Sequence, residues 1–510
     1  MTVKSIMKKS ERWRIHWVML ALIAFCFGSC KDDDNNTESK PFDPSQPVEI
    51  TDFTPKEGGV GQRVIIYGKN FGNDPNIVNV SIGGKKAKVI GVGNDGLYIL
   101  VPSKAYEGID LKGTIEVRIG DETNPTIGEA SEKFTYQLKM VVSTLAGYKN
   151  DKGDQPWKDG KFKDPDYLLM ASGFKNPSWF KMDPKNPKNI WMVFDNADNT
   201  SVQDLYLINF EDSTIVKKKS GFDRPRAIDF TLDGEYMLIA EDRGGENDRN
   251  VLRLSRSSGF QSQEIVTKYK QCNTVAIHPV TGDMYFNSFD KGQFYWFDIH
   301  KYFADGGIAR GVKDANWGDY GKELFTILDP GWEYRIIIHP TGNYAYIVVV
   351  NKHYIMRTDY NWVTNRFNPP YMFSGSPSRE AGYLDGVGTN TKYNTPYQGV
   401  FVYNEEYEKQ GRLDHYDFYI ADTHNHAIRK LTPDGELTTF AGRGSSSLNP
   451  DPWGYVDGDL REEARFDRPT GISYNEEEKV FYIGDWMNHR IRKIGLEEMD
   501  LSVSDEAGKK

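Results

Sequence analysis

Two short stretches hold the side chains best suited to chemistry, and they hold nearly the same ones. Phe481–Lys493 reads FYIGDWMNHRIRK and Phe418–Lys430 reads FYIADTHNHAIRK. His424, with Asp422 and Asp485, is the main titratable set that general acid–base work would draw on. The residues that differ between the copies say more: His424 in one, Trp486 and Met487 in the other. A Trp at a turn tip is a flat apolar platform, and sugars present apolar C–H faces with polar edges. Trp157, Tyr383, Tyr397 and Trp453 fall where the same rim is expected, with Trp179 and Trp332 near strand starts. Half or more of these rings suit packing between repeats equally well. Arg226 and Arg335 lie near inner strands, where they would meet carboxylates of an acidic ligand or protein. The shared Asp and Asn are expected to hydrogen-bond their own turn backbone, and His426 and His489 to be structural rather than metal ligands.

Strands must position these turns. Each copy opens on an apolar β-branched and aromatic run and re-enters an alternating Ile-Arg-Lys run, which predicts strand, tight turn and strand. A second shared phrase precedes each copy, Phe466–Ile472 in one case and Tyr393–Val400 in the other. The unit recurs about 60 residues apart, the mark of a repeat fold whose four short strands make a propeller blade. From 141 to 496 six units fit, with inner strands starting near Pro177, Pro225, Val275, Tyr334, Pro396 and Pro469. Long loops with an Asp-Gly step, at Asp159-Gly160, Asp385-Gly386 and Asp457-Gly458, lead from outer strand to next inner strand. They should crowd the same face as the Asp-x-x-Asn-His turns. Val142–Gly147 resembles the outer strand Leu437–Gly442, and no such strand follows Ile494. The early copy is therefore predicted to pair into the last blade and close the ring.

Asn425-His426-Ala427 and Asn488-His489-Arg490 resemble the NHL-repeat family, with the family's third letter replaced in both. The resemblance implies a six-bladed NHL-type β-propeller. NHL-like rings include lyases and hydrolases with acid–base groups at the channel mouth, and also protein-interaction platforms. The middle units have lost Asn-His and match less well.

Residues 47–139 carry short alternating runs between Gly and Asn turns. Val64–Gly72 ends in Gly-x-Asn-Phe-Gly, which needs glycines for the turn and a Phe folding back into the core. With Phe53–Gly59 before it, Val101-Pro102 after it and Phe134-Thr135-Tyr136 at the end, the order resembles an IPT/TIG immunoglobulin-like module. Such sandwiches serve mostly as spacers or interaction modules. The fold class expected is thus all-β, an IPT/TIG sandwich followed by the propeller.

The chain of 510 residues exceeds one ordinary core, and its formal charge of −10 argues against a nucleic-acid partner. Lys8, Lys9, Arg12 and Arg14 precede an apolar run from Trp17 to Phe27, too short to span a bilayer but suited to a signal peptide. Phe27-Gly28-Ser29-Cys30 resembles a bacterial lipobox with Cys30 lipidated, within a leader of residues 1–30. Lys31–Asn36 resembles the acidic export signal of Bacteroidetes surface lipoproteins, in a polar tether over 31–46. Cys272 is expected to be a buried packing residue, and residues 497–510 a disordered tail. Asp195–Asn199 only loosely mimics a calcium loop, and no metal or cofactor is expected. Anchor and domain order together resemble accessory lipoproteins of polysaccharide-utilisation systems, which implies an outer-membrane, lipid-anchored surface protein that holds polysaccharide or oligosaccharide for a neighbouring importer. A polysaccharide lyase or hydrolase and a protein-interaction platform are the alternatives.

Overall fold

The computed structural model describes residues 40–499 apart from 94–95, 149–155, 167–168, 195–202, 243–248, 269–270, 289–291, 308–309, 312–319, 330–332 and 446–449. Cys30, Trp332 and the Asp195–Asn199 stretch lie outside the described residues.

The N-terminal domain is a sandwich of a seven-stranded and a three-stranded sheet. Val78–Ile82 alternates buried and half-buried positions, as a strand with one face on a core must. Phe71 of the Gly-x-Asn-Phe-Gly turn is fully buried. Gly68 permits this, because a Cβ there would stand 2.5 Å from the Phe71 ring and 2.0 Å from the Glu49 carbonyl oxygen. Asn70 sits at φ +64° and its side-chain amide donates to the carbonyls of Asp43 and Gln46, each at 2.9 Å. The stretch expected as tether up to residue 46 is therefore fastened to the sandwich from Asp43 onward.

Among the described residues six further sheets of four or five strands follow. Their inner strands are Pro177–Asp183, Pro225–Phe230, Val275–Ile277, Tyr334–Ile338, Pro396–Tyr403 and Pro469–Asn475, at the predicted starts. Each lies against the next, and Pro469–Asn475 lies against Pro177–Asp183, so the sheets ring a common axis as a β-propeller. Met140–Ala146 pairs antiparallel with Arg490–Leu496, Val142 opposite Ile494 and Thr144 opposite Arg492. The predicted closure is thus formed, and the ring leaves no open edge there.

Inner strands turn one backbone edge toward the axis, and side chains from neighbouring sheets cap it. Gln398 Oε1 accepts from the N–H groups of Phe180 (2.9 Å) and Ile472 (3.0 Å), while its amide donates to the Phe180 carbonyl at 2.7 Å. Asp229 accepts from Ile277 at 2.8 Å, and Thr274 Oγ1 from Ile336 at 3.0 Å. A mainly apolar axial cavity of about 420 Å³ runs from Trp179 and Gln398 toward Pro184, Leu232, Pro279 and Pro340. Pro184, Leu232, Pro279 and Pro340 follow the inner strands, at the end opposite the Asp-x-x-Asn-His turns.

The domains meet through Glu497. Placed with the tail from sequence, it is instead buried, at 5% exposure. Its carboxylate accepts from the hydroxyls of Tyr136 and Ser103 and from the Lys104 N–H at 3.2 Å.

Candidate functional site

The repeated polar residues form one network built twice. Asp422 Oδ1 accepts the Asn394 N–H at 2.8 Å, and Oδ2 accepts Asn425 and Arg429, both at 2.7 Å. Arg429 turns its other amino group to Asp385 at 2.5 Å. In the sixth sheet Asp485 takes the Asp467 N–H (2.8 Å), Asn488 (2.8 Å) and Arg492 (2.7 Å), and Arg492 reaches Asp457 at 2.6 Å. Asp385 and Asp457 belong to the Asp-Gly loops, so each network ties a turn to the incoming loop. The Asp side chains therefore serve the preceding loop and the Arg rather than their own turn backbone. Asp422 and Asp485 are fully buried and their oxygens are engaged, which removes both from acid–base work with His424. Burial raises both above the usual carboxylate range, and Arg429 or Arg492 pulls them back.

His426 and His489 take positive φ, 55° and 53°, at the end of these turns. His426 Nδ1 accepts the Arg468 N–H at 3.2 Å. His353, also at positive φ, accepts the Thr395 N–H at 2.9 Å in the same way. The histidine fastens one sheet to the loop that enters the next, a structural task that fixes Nδ1 as an acceptor. Burial and then the Arg468, His424 and Arg443 charges push His426 down to about 4.

Several predicted platform rings belong to this scaffold. Tyr383 lies two residues before Asp385; its hydroxyl meets Thr439 Oγ1 at 2.6 Å and its ring lies 4.8 Å from the Arg429 guanidinium. Tyr455, which stands equivalently before Asp457, meets Thr144 at 3.0 Å and Arg492 at 5.0 Å. Trp157 occupies the same place before Asp159, donates to it at 2.8 Å and packs 4.1 Å from the Tyr206 ring. An aromatic two residues before each Asp-Gly was the signal that these rings roof the loop.

The residues expected in the channel are there, but they pair among themselves. Arg226 binds Asp242 at 2.7 Å and approaches Glu333 at 3.6 Å. Arg335, with no exposed side-chain surface, reaches Glu333 and the Asn273 carbonyl, each at 2.5 Å, and the Tyr397 hydroxyl. Trp179 is buried and donates to the Ile228 carbonyl at 3.0 Å. Burial therefore takes Trp179, Arg226, Arg335 and Tyr397 out of the set of exposed contacts. Cys272 is buried as expected, its thiol pushed up to about 12 by desolvation.

What the scaffold does not consume is one patch between the fifth and sixth sheets. Trp453 is 47% exposed with its ring 5.7 Å from that of His426. Trp486 is half-buried, and the Arg468 guanidinium lies 5.6 Å from its centroid. His424 is exposed and meets Thr395 Oγ1 at 2.7 Å. Arg443 lies 4.0 Å over the Tyr383 ring. Among the described residues no carboxylate pairs with Arg443 or Arg468, and Asp467 faces His426 Nδ1 at 3.3 Å. Arg443 and Arg468, both half-buried, escaped sequence reading because nothing in the repeat marks them as lacking a carboxylate partner.

Fold and patch together define a two-domain, all-β protein whose propeller has a loop-rich face fit for a ligand. Residues 47–136 match the IPT/TIG domain family. A Bacteroides thetaiotaomicron structure described as an auxiliary nutrient binding protein is 42% identical, covering 90% of this chain and 100% of its own, with a TM-score of 0.72. A second structure from the same organism, described as a putative phosphatase, is 39% identical over 91% of this chain and 100% of its own, with a TM-score of 0.75. The chain belongs to the family of these Bacteroides proteins. The human NHL repeat-containing protein 2 is 32% identical over 123 residues, 24% of this chain and 15% of the human protein's length.

Proposed function

We propose that the protein is a lipid-anchored surface protein that holds glycan on the loop-rich face of a six-bladed NHL-type propeller. The observation that carries this is the patch of Trp453, Trp486 and His424, with Trp453 and His424 exposed, Trp486 half-buried, and Tyr383 exposed nearby under Arg443. Two indole faces beside hydrogen-bonding and cationic groups match the apolar faces and polar edges of a sugar. The family likeness to an auxiliary nutrient binding protein supports a capture role. In this reading Cys30 carries the lipid, the IPT/TIG domain holds the propeller off the membrane, and an outer-membrane importer takes the glycan onward. The test is affinity electrophoresis against polysaccharides for wild type, Trp453→Ala and Trp486→Ala, beside thermal melts. Retention should fall in both variants with little change in melting. Unchanged retention of a glycan that binds wild type would refute the site. Labelled palmitate should enter wild type and not Cys30→Ala, and label in the variant would refute the anchor.

A further inference from the structure

The repeat places an arginine at equivalent points of two sheets and treats it differently in each. Arg224 precedes Pro225, the first residue of an inner strand, and Arg468 likewise precedes Pro469. Both take positive φ, 48° and 58°, a conformation that disfavours long side chains. The residue after each partner strand is Asp242 in one case and Trp486 in the other, since Pro225 pairs with Glu241 and Pro469 with Asp485. Asp242 gives Arg224 a carboxylate partner at 3.3 Å, shared with Arg226. Trp486 offers Arg468 only a ring face. Arg443, a second guanidinium on a strained backbone at φ +62°, borders the same patch. On a chain of net charge −10, two guanidinia without carboxylate partners beside two indoles form a local cationic site.

We infer that this site takes an anionic sugar unit, its ring on Trp486 or Trp453 and its carboxylate or sulfate on Arg468 and Arg443. The inference rests on the glycan reading above and narrows it by charge. A guanidinium fork matches a planar carboxylate or a sulfate edge with two parallel hydrogen bonds. A neutral sugar would leave both charges uncompensated under the bound ring. The Nδ1 of His426 is closed to the anion, because it already accepts the Arg468 N–H.

The full chain is applied to a panel of neutral, uronate-bearing and sulfated polysaccharides, with each bound uronate also tested after carboxyl reduction. Binding should be confined to the acidic members, and Arg468→Gln should weaken it about tenfold or more with an unchanged melt. Arg468→Lys should recover part of the loss, and Arg443→Gln serves as an independent second variant if Arg468→Gln fails to fold. A uronate that loses binding on carboxyl reduction identifies a carboxylate as the anion. Arginine-dependent binding of sulfated members alone identifies a sulfate ester, and both results support the site. Binding of neutral members that depends on Trp486 but not on either arginine overturns this inference and leaves the glycan reading standing. Binding to no member of the panel overturns both.

Discussion

Arg429 and Asp422 form a 2.7 Å ion pair in which neither side chain keeps any exposed surface. Arg492 and Asp485 repeat it at the same distance in the next sheet. Removing one partner of such a pair strands a buried charge, which costs more than the pair itself contributes. Arg429→Ala should therefore lower the unfolding free energy by about 3–5 kcal/mol. It should also free the Asp385 loop, which Arg429 holds at 2.5 Å. Urea unfolding checks the first effect and proteolysis of the 380–392 loop the second. A loss under about 1 kcal/mol would mean the carboxylate finds another donor.

The propeller is legible in sequence where the repeat needs one particular side chain. Thr395 and Arg468 both stand at positive φ before a Pro, so the phrase before each inner strand survives as a pattern. It fades where another residue does the same work. Glu241 accepts the Asp223 N–H at 2.8 Å, and Asn287 the Asn273 N–H at 2.9 Å, as Asp422 accepts that of Asn394. His353 keeps the place of His426 although Lys352 stands where Asn425 does. The site was harder to read, because ring direction depends on the neighbouring sheet. Trp157 and Tyr397 look like rim aromatics in sequence, but Tyr206 covers one and Arg335 engages the other. Gln398, which binds strands 74 and 218 residues away, has no local signature at all.

The folded state holds His426 neutral, and that sets a pH dependence. Its pKa falls from 6.5 to about 4 in the fold, so between those values the unfolded chain binds the extra proton. The stabilisation is whole above pH about 6.5 and is lost as pH falls toward 4. Asp467, at 3.3 Å, is the carboxylate facing the ring, and Arg468, Arg443 and His424 are the cationic neighbours. Between pH 7 and 4.5 the wild type should lose roughly 2 kcal/mol that His426→Asn, suited to the positive φ, does not lose. Parallel unfolding profiles for the two proteins would refute the assignment.

Ring closure makes a sharp comparison between two truncations. A protein lacking residues 1–147 loses the Met140–Ala146 strand and bares the edge of Arg490–Leu496. It should aggregate or melt early, since an unpaired strand invites other chains. A protein lacking only residues 1–139 keeps the strand and should stay folded and monomeric by light scattering. Equal behaviour of the two would show that the last sheet does not need its N-terminal strand.

Glu497 couples the two domains and can be separated from the stability of either. Its carboxylate takes Tyr136, Ser103 and the Lys104 N–H, and its own N–H donates to the Lys139 carbonyl at 2.9 Å. These partners include both ends of the short connection between sandwich and propeller, so this side chain helps to hold the propeller against the sandwich. Burial and the Glu497 charge also push the Tyr136 phenol up, which keeps it a donor at any ordinary pH. Glu497→Ala removes the acceptor from three donors at once, and each left unsatisfied costs about 1–3 kcal/mol unless water enters. Water can enter once the domains part, so the expected result is uncoupling rather than unfolding. Limited proteolysis should then cut near residues 137–140 at a rate the wild type does not show, while each domain keeps its own melting transition. Small-angle scattering should report a wider spread of shapes. Glu497→Gln, which keeps an acceptor oxygen, should lie between the two. An uncut junction in Glu497→Ala would place the coupling in other contacts, with Arg63 and Glu462, 3.9 Å apart across the same junction, the first to examine.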